Sequence, residues 1–452
     1  MVICTDSRRQ LYFRTQSEKM TFFSVLVFSV VLLNSVNSSQ TFEIFTRATD
    51  AFKSFLNIEL ITVDKPRSTG DSNETDSVAE DATLLAPDLI RKYQYPVEVH
   101  NVTTDDGYIL QVFRIPKPDQ QPVLLMHGLL DTSDTWILMG PQQGLAYLLS
   151  DLGYDVWMGN VRGNRYSNRH SILSPMSRKY WDFSLDEIGY YDIPAIVDHV
   201  LNQTNYPKLH YIGHSQGNAV FFVMCSERPE YANKIYSMHG LAPIAFFSTV
   251  RSPVINSMVA SIDFLRILTA TLRIYEFLPN SEFLTKSTRI MCHDASIVQA
   301  VCSNMLFLLA GFNTDQLNKT MLPVALGHTP SGASVKQMIH FAQLIKSGHF
   351  RKYDYGRFRN DMRYGTTEPP DYNLLNVKMP VSLYYSENDW LLDVESVQKL
   401  STLLPNVQDK YLIPLKQFNH LDFCWAVDGR KIVYGRLLEN MQIAESNGNL
   451  FS

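Results

Sequence analysis

Apolar residues follow two spacings between residues 97 and 241, and the two spacings alternate along the chain. Short apolar or alternating runs predict strands at residues 97–102, 108–115, 123–126, 155–158, 209–212 and 236–239. Residues 186–203 and 218–224 carry apolar side chains at helical spacing instead. Asp105-Asp106-Gly107, between the first two predicted strands, has the composition of a hairpin turn. Strands that alternate with helices are typical of an α/β protein with a parallel sheet.

This alternation stops between about residue 246 and residue 372. Residues 250–278 and 297–312 are strongly apolar with helical spacing, and a strand pattern returns only at residues 381–385. We therefore predict an α/β core formed by residues 85–245 and 373–452. A helical cap, residues 246–372, is predicted to interrupt this core.

The N-terminal segment has the pattern of a targeting signal. Residues 22–33 form an apolar stretch of 12 residues, preceded by Arg14 and Lys19 and followed by small polar residues. A membrane span needs about 20 residues, so this length is typical of a signal-peptide core. We predict a leader over residues 1–38 and no transmembrane span in the mature chain. A start at Met1 or at Met20, and retention as a signal anchor, stay open.

Residues 39–84 are predicted to be a polar linker or propeptide, because residues 64–82 are acidic and short of large apolar side chains. The net charge of −5 over 452 residues gives no reason to expect a nucleic-acid partner. Passage through the secretory pathway would expose asparagine sequons to glycosylation. One sequon, at Asn37, lies in the presumed cleavage region. The four predicted glycosylation sites are Asn73, Asn101, Asn202 and Asn318.

The chain has five cysteines, of which Cys4 falls in the leader. Cys292 and Cys302 are close enough in sequence to close a short loop in an oxidising compartment. Cys225 and Cys424 are interpreted as buried small apolar residues. No Cys/His spacing resembles a zinc site, so neither a metal nor another cofactor is expected.

The pentapeptide Gly213-His214-Ser215-Gln216-Gly217 lies between a predicted strand and a predicted helix. A serine at such a sharp turn is lifted clear of the sheet and stands near a helix N-terminus, where a developing oxyanion is favoured. Gly213 and Gly217 leave the room that this turn requires. The motif predicts Ser215 as a nucleophile, provided that an acid and a base are found.

His420 is the only histidine after the strand predicted to end at residue 385. In α/β-hydrolases the order along the chain is serine, acid, histidine, so His420 is the candidate general base. The acid should follow the preceding strand, and Asp389 comes four residues after its end. Asp393 and Glu387 are rivals, each interpreted as a surface or helix-capping charge.

An oxyanion hole needs backbone N–H groups from the residue after the serine and from an early loop. Gln216 supplies the first donor. Leu129, in the His127-Gly128-Leu129-Leu130 turn after residues 123–126, is the predicted second donor. His127 and His214 flank turns and are interpreted as packing or hydrogen-bonding residues.

With these motifs in place, the chain resembles the acid lipase family, which includes gastric and lingual lipases, lysosomal acid lipase and insect relatives. The likeness runs from about residue 85 to residue 440. The stretches that carry it are Tyr95-Pro96, residues 104–110, 127–130, 155–164 and 213–217, and residues 419–423 with Trp425.

The resemblance implies an α/β-hydrolase fold with Ser215 as nucleophile, Asp389 as acid and His420 as base. It also implies that residues 246–372 are the cap and lid over the active site, and that Cys292 and Cys302 form the cap disulfide. One departure is Ser386-Glu387-Asn388 before the acid, where relatives often have a glycine-rich turn. Cys424 beside the histidine loop is also unusual.

The implied activity is that of a serine lipase, secreted or lysosomal, which hydrolyses triacylglycerol or cholesteryl esters at a lipid–water interface. Apolar cap helices such as residues 264–278 would cover the acyl pocket and could bind that interface when opened. Two alternatives stay open. One is a carboxylesterase, peptidase or acyltransferase acting on other acyl substrates, and the other is a non-catalytic lipid-binding protein that keeps the fold.

Overall fold

A computed structural model describes residue 78, residues 80–279 and residues 299–449 of the 452-residue chain. The predicted leader, nearly all of the predicted linker and residues 280–298 lie outside the described residues.

A mostly parallel sheet of nine strands organises the described part of the chain. Its order is β1-β2-β4-β3-β6-β7-β10-β11, with β5 paired to β2. Pairs from β4 to β11 along this order are parallel, whereas β2 runs antiparallel to β1, β4 and β5. The strands are β1 Glu98–Thr103, β2 Tyr108–Ile115, β3 Pro122–Met126, β4 Asp155–Gly159, β5 Arg169–His170, β6 Leu209–His214, β7 Ile235–Leu241, β10 Val381–Tyr385 and β11 Val407–Leu412.

Residues 78, 80 and 81 are helical, and a further fifteen α-helices lie wholly within the described ranges. They are α1 Ala86–Lys92, α2 Gly140–Gln143, α3 Leu145–Asp151, α4 Leu185–Glu187, α5 Ile193–Thr204, α6 Gln216–Glu227, α7 Pro253–Ala260, α8 Ile262–Leu272, α9 Gln299–Ala310, α10 Leu322–His328, α11 Val335–Ser347, α12 Arg357–Tyr364, α13 Val394–Leu403, α14 Asp422–Trp425 and α15 Gly435–Asn449. Short 3₁₀ turns cover Ser133–Trp136, Pro229–Lys234 and Leu374–Asn376, and π turns cover Ile188–Asp192 and Arg430–Tyr434.

The central strands β3, β4, β6 and β10 are buried at every residue, which explains why their sequences are apolar runs rather than alternating ones. Helices α3, α5, α6 and α15 pack against these strands or their neighbours. In a parallel sheet the loops that follow the strands gather at one edge. The segments after β3, β6, β10 and β11, which carry every predicted catalytic residue, therefore meet at the carboxyl edge.

The helix predicted at residues 186–203 is interrupted, and this is a difference from the sequence-based expectation. A π turn at Ile188–Asp192 separates α4 from α5. Pro194 stands in the first turn of α5 and has no N–H to donate, so a regular helix cannot run through this point. The wider turn leaves Asp192 fully buried.

Residues 246–372, here called the insertion, leave the sheet after β7 and return to it at β10, which pairs directly with β7. The apolar segment 250–278 is not helical throughout. Helices α7 and α8 are bent by 67° relative to each other, and Arg273 ends α8 in a left-handed conformation with φ of 56°. A two-residue strand β8, Glu276–Phe277, then pairs with β9, Ala333–Ser334.

Within the described ranges, no single helix is long and apolar enough to cross a membrane. The bent pair of α7 and α8 passes the same length and composition test when its two members are taken together.

A buried ion-pair cluster joins three loops beside the sheet. The Arg162 side chain is 1% exposed and lies 2.6 Å from Asp192 and 2.6 Å from Asp106. Its guanidinium stacks 3.8 Å above the Tyr108 ring. Arg162 thereby ties the β1–β2 turn and the loop after β4 to the π turn that presents Asp192.

Replacing Arg162 by Met is expected to lower the free energy of unfolding by about 3–5 kcal/mol, because it leaves a buried carboxylate without its counter-ion. Urea unfolding followed by tryptophan fluorescence measures this loss. The control is Arg91→Met, which breaks an exposed pair with Asp88 and should change the free energy by less than about 1 kcal/mol. Equal effects of the two substitutions would contradict the assigned role of Arg162.

Candidate active site

Ser215 occupies the sharp turn between β6 and α6. Its φ of 52° is in the left-handed region that non-glycine residues rarely adopt. A Cβ at Gly217 would lie 2.3 Å from the carbonyl oxygen of Met126, and one at Gly213 would lie 2.8 Å from Oδ1 of Asn218. Both glycines are therefore required by close approach, and they allow the strained serine to stand at the carboxyl edge.

Asp389 and His420 form a buried hydrogen-bonded pair. Nδ1 of His420 lies 2.7 Å from Oδ2 of Asp389, and the two side chains are 3% and 1% exposed. The other oxygen, Oδ1, accepts hydrogen bonds from the backbone N–H groups of Leu391 and Leu392 at 2.8 and 2.9 Å. With both oxygens occupied, the carboxylate is held in one orientation and can fix the tautomer of the imidazole.

The two rival acids have other roles in the structure. Asp393 caps α13, because its side chain accepts a hydrogen bond from the N–H of Ser396 at 2.9 Å. Glu387 is exposed. Both positions agree with the interpretation of these residues as capping or surface charges.

The candidate base and the candidate nucleophile are linked through His214, which precedes Ser215. Nε2 of His214 lies 3.0 Å from the carbonyl oxygen of His420, and the two rings are 5.1 Å apart. A Cβ on Gly128 would lie 3.3 Å from Cβ of Ser215. The loops after β3, β6 and β11 therefore converge on the serine.

The end of helix α9, in the insertion, holds the acid and base loops together. The carbonyl oxygen of Ala310 accepts hydrogen bonds from the N–H of Trp390 at 3.1 Å and the N–H of His420 at 3.4 Å. The next carbonyl, of Gly311, accepts one from Nδ2 of Asn419 at 2.9 Å. We call residues 310–313 the clasp.

Asn388 connects the acid turn to the clasp and to the base loop. Its Nδ2 donates to the carbonyl of Phe312 at 2.9 Å and to that of Gln417 at 2.8 Å. The backbone carbonyl oxygen of Asn388 would lie 2.1 Å from a Cβ at Gly311, where φ is 115°. Sequence reasoning missed the clasp. The glycine and the Asn388 that departs from the family pattern were the signals available.

Of the two predicted oxyanion donors, Gln216 adjoins Ser215 in the chain, and Leu129 follows the glycine that approaches Ser215. Gln216 is the first residue of α6, so its N–H has no acceptor one turn earlier in the helix and is free to face a ligand. Leu129 follows Gly128 in the turn after β3 and is half-buried. Leu130, with φ of 62°, ends this turn and accepts a hydrogen bond from the N–H of Ser331 in the insertion.

The side chain of Gln216 is held by the insertion. Nε2 of Gln337, near the start of α11, donates a short hydrogen bond to Oε1 of Gln216. Oε1 of Gln337 accepts from the N–H of Ser334, and the Ser334 hydroxyl donates to the carbonyl of Trp181. This buried chain of hydrogen bonds joins α11 to the residue that follows the candidate nucleophile.

Two histidines near the site are kept neutral by burial. Burial lowers the pKa of His127 to about 4 and that of His214 to about 3. Nε2 of His127 accepts hydrogen bonds at 3.3 Å from the N–H of Val161 and at 3.2 Å from the amide of Asn164. Both residues thus have the packing and hydrogen-bonding character expected for them.

Burial raises, rather than lowers, the pKa values of two carboxyl groups nearby. Burial raises the pKa of Asp131 to about 7 and that of Asp422 to about 7. Asp131 follows the turn that carries Leu129. Oδ2 of Asp422 accepts from the N–H of Asn419 at 2.7 Å and from the amide of Asn313, in the clasp, at 2.6 Å.

The remaining predictions concern cysteines, glycosylation asparagines and metal ligands. Cys225 and Cys424 are buried free thiols, as interpreted from the sequence. Asn101 and Asn202 are exposed, and Asn318 is half-buried. Asn73, Cys292 and the side chain of Cys302 lie outside the described residues, so that sequon and the disulfide stay predictions. No group of three or more His, Cys, Asp or Glu side chains in the described ranges is arranged to hold a metal ion.

Comparison with known proteins identifies relatives of this chain. The family described as a partial alpha/beta-hydrolase lipase region matches residues 86–140, and the alpha/beta hydrolase fold family matches residues 121–425. Lipase 1 of Drosophila melanogaster is 46% identical, over 80% of this chain and 81% of that protein. Gastric triacylglycerol lipase of Bos taurus is 37% identical, over 80% of this chain and 92% of that protein.

Among solved structures, one from Sulfolobus solfataricus has a TM-score of 0.51 and is 14% identical, over 76% of this chain and 93% of that one. At this identity the likeness supports the fold alone.

Replacing His214 by Gln tests the neutral state of the buried imidazole. Below pH 6.5 the unfolded histidine binds a proton that the folded one, with its pKa near 3, does not bind. Stability of the wild type should therefore fall, relative to the variant, by about 1.4 kcal/mol per pH unit between about pH 6 and pH 4. Gln keeps a donor for the His420 carbonyl.

Urea unfolding at successive pH values measures this difference. His349→Gln, at an exposed histidine, is the control. Parallel curves for the wild type and His214→Gln would show that His214 binds its proton equally well in both states.

Proposed function

The chain belongs to the acid lipase family of α/β-hydrolases, and on this premise we propose that it is a serine lipase of neutral lipids. The substrates proposed are triacylglycerols or cholesteryl esters at a lipid–water interface. The observation that carries the proposal is the buried pair of His420 and Asp389, 2.7 Å apart, beside a serine in a strained turn. The apolar stretch at residues 22–33 supports entry into the secretory pathway, with secretion or lysosomal residence as the outcome.

In the proposed first step, Oγ of Ser215 attacks the carbonyl carbon of the ester while Nε2 of His420 takes the hydroxyl proton. The carbonyl electron pair moves onto oxygen and gives a tetrahedral intermediate. When the intermediate collapses, the bond to the alcohol oxygen breaks and His420 returns the proton to that oxygen. The alcohol leaves, and the fatty acyl group stays on Ser215.

A water molecule then repeats the sequence on the acyl-enzyme. As the water oxygen attacks the acyl carbonyl carbon, His420 takes a proton from that water. When the bond between this carbon and Oγ of Ser215 breaks and the fatty acid is released, His420 gives the proton to Oγ. Asp389 stabilises the imidazolium in both halves of the reaction, because its orientation is held by two backbone N–H groups.

The N–H groups of Gln216 and Leu129 are proposed to bind the oxyanion in both tetrahedral intermediates. Such donors act in the transition state, provided that they are already oriented before the reaction begins. The hydrogen bond from Gln337, in the insertion, holds the side chain of Gln216 and so restrains the residue that carries the proposed N–H donor. Gln337 is therefore a positioning residue.

Hydrolysis of emulsified triolein, cholesteryl oleate and a short soluble ester, measured from pH 4 to 8, tests the proposal. Ser215→Ala should lower kcat by at least about 10³-fold on every substrate, since no alternative nucleophile replaces the hydroxyl. Ser150→Ala, at a buried serine in α3, is the matched control and should keep its activity.

Activity on the short ester alone would favour a carboxylesterase over a lipase. Failure of Ser215 to react with an active-site phosphonate in folded protein would favour a non-catalytic binding protein. Full activity of Ser215→Ala would contradict the mechanism.

Gln337→Leu is expected to lower kcat about tenfold while KM changes less than about twofold, because one hydrogen bond that orients a transition-state donor is lost. Gln337→Glu should recover activity toward acidic pH, where a protonated carboxyl can again donate to Gln216. The control is Gln343→Leu in the same helix, because among the described residues the Gln343 side chain bonds only to the backbone of Asp354. An equal loss of kcat in Gln337→Leu and Gln343→Leu would contradict the positioning role of Gln337.

A further inference from the structure

Helix α12, Arg357–Tyr364, presents two large apolar side chains to solvent. Phe358 is 78% exposed and Met362 is 75% exposed. They are four residues apart and therefore lie on the same side of the helix, one turn above the other. Only Ile172, at 88%, is more exposed among the large apolar side chains in the described ranges.

The opposite side of α12 is fastened to the insertion. Asn360 is 1% exposed, and its side chain bonds to the N–H of Tyr355, to Oδ1 of Asp354 and to the carbonyl of Thr367 at 2.8–3.0 Å. Successive residues are about 100° apart around a helix axis, so Asn360 and Phe358 point in nearly opposite directions. The apolar pair therefore projects straight away from the protein.

Positive charge frames this pair. Arg357, Arg359 and Arg363 accompany it on the helix, against a single acidic residue, Asp361. Arg357 and Arg359 form no ion pair with a carboxylate of the described residues. Arg363 faces the protein instead, because its guanidinium stacks 4.8 Å above the Tyr355 ring. The whole chain has a net charge of −5, so this local excess of arginine runs against the overall composition.

Helix α8 also presents large apolar side chains to solvent. Its Phe264 and Ile267 are 57% and 66% exposed, with Arg266 between them in sequence. Ile262 of α8 packs in one cluster with Tyr353, whose ring is 4.8 Å from that of Tyr355. Helices α8 and α12 thus flank the same pair of tyrosines.

We propose that the outer face of α12, formed by Phe358 and Met362 with Arg357 and Arg359, docks the enzyme on a lipid surface that carries fatty-acid carboxylates. The apolar pair enters the acyl region while the guanidinium groups bind carboxylates at the surface. The inference rests on the proposed function, because ester hydrolysis is the source of the negative charge on the lipid surface. Each hydrolysed ester leaves one fatty acid, so the surface becomes anionic where the enzyme has acted.

Binding is measured by co-sedimentation at about pH 8, where the surface carboxylates are ionised, with Ser215→Ala protein so that no lipid is consumed. The probes are phosphatidylcholine vesicles, alone and with about 20 mol% oleate or phosphatidylserine. The unmodified face should bind oleate vesicles at least about tenfold more tightly than neutral ones, and added salt should weaken this preference.

Two variants dissect the face in the same Ser215→Ala background. Phe358→Ala with Met362→Ala should weaken binding to oleate vesicles at least about tenfold, since most of the inserted apolar area is lost. Gln at both Arg357 and Arg359 should remove the preference for oleate while leaving weak binding to neutral vesicles.

The matched control combines Leu152→Ala and Leu375→Ala, at leucines that are 54% and 65% exposed elsewhere on the surface. It should bind as the parent does. With Ser215 restored, all three variants should hydrolyse a soluble short ester normally, which shows that they are folded.

An equal loss of binding in the leucine control, or no loss in the phenylalanine–methionine variant, would overturn the proposal. So would a response to phosphatidylserine without one to oleate, or a dimer that the phenylalanine–methionine change dissociates while vesicle binding persists. Docking without hydrolysis of any ester would instead remove the proposed function and leave the docking face intact.

Discussion

The strained turn at Ser215 is the constraint on which the arrangement of the site depends. A positive φ at a non-glycine residue costs about 1–3 kcal/mol and persists only where the surroundings enforce it. Here β6 is paired on both sides, with β3 and β7, and the N–H of Ser215 donates to the carbonyl of Leu241 at 3.0 Å. The absent Cβ of Gly217 lets α6 approach Met126, which also brings the His127-Gly128 turn against the serine.

The insertion contributes contacts to this site. Its clasp at residues 310–313 bonds both to the turn of Asp389 and to the loop of His420, and Gln337 bonds to the residue after the serine. The bonds from Gln337 to Gln216 and from Asn419 to Gly311 are buried, and breaking them would leave polar groups without partners. A movement that admits a large lipid must therefore spare the end of α9 and the start of α11, and draw on other parts of the insertion.

Buried titratable groups around the site have opposing effects on stability as pH falls. His127 and His214 stay neutral in the folded state, so the unfolded state gains protons first and stability declines below pH 6.5. Asp131 and Asp422, with pKa values raised to about 7, bind protons first in the folded state. Their contribution to folding stability therefore rises as pH falls from about 7 toward the ordinary carboxyl range. The two effects partly cancel, which limits how strongly this region responds to acid.

Local sequence determined the parts of the protein whose chemistry depends on near neighbours in the chain. The apolar runs of β3, β4, β6 and β10 marked a buried parallel sheet. Chain order marked one candidate nucleophile, Ser215, and one candidate base, His420, and favoured Asp389 over two rival acids. The glycines flanking Ser215 were readable because a sharp turn needs them wherever it occurs. The π turn before Pro194 was not foreseen from apolar spacing, although the proline itself was visible.

Only the tertiary structure decided what distant segments do to one another. It paired Arg162 with Asp106 and Asp192 and brought Gln337 to Gln216 from 121 residues away. It joined the end of α9 to the loops that carry Asp389 and His420. It also turned Phe358 and Met362 outward, which their spacing alone would assign to a buried face as readily. Such contacts depend on how separate elements pack, and that information is spread over the whole chain rather than contained in any one motif.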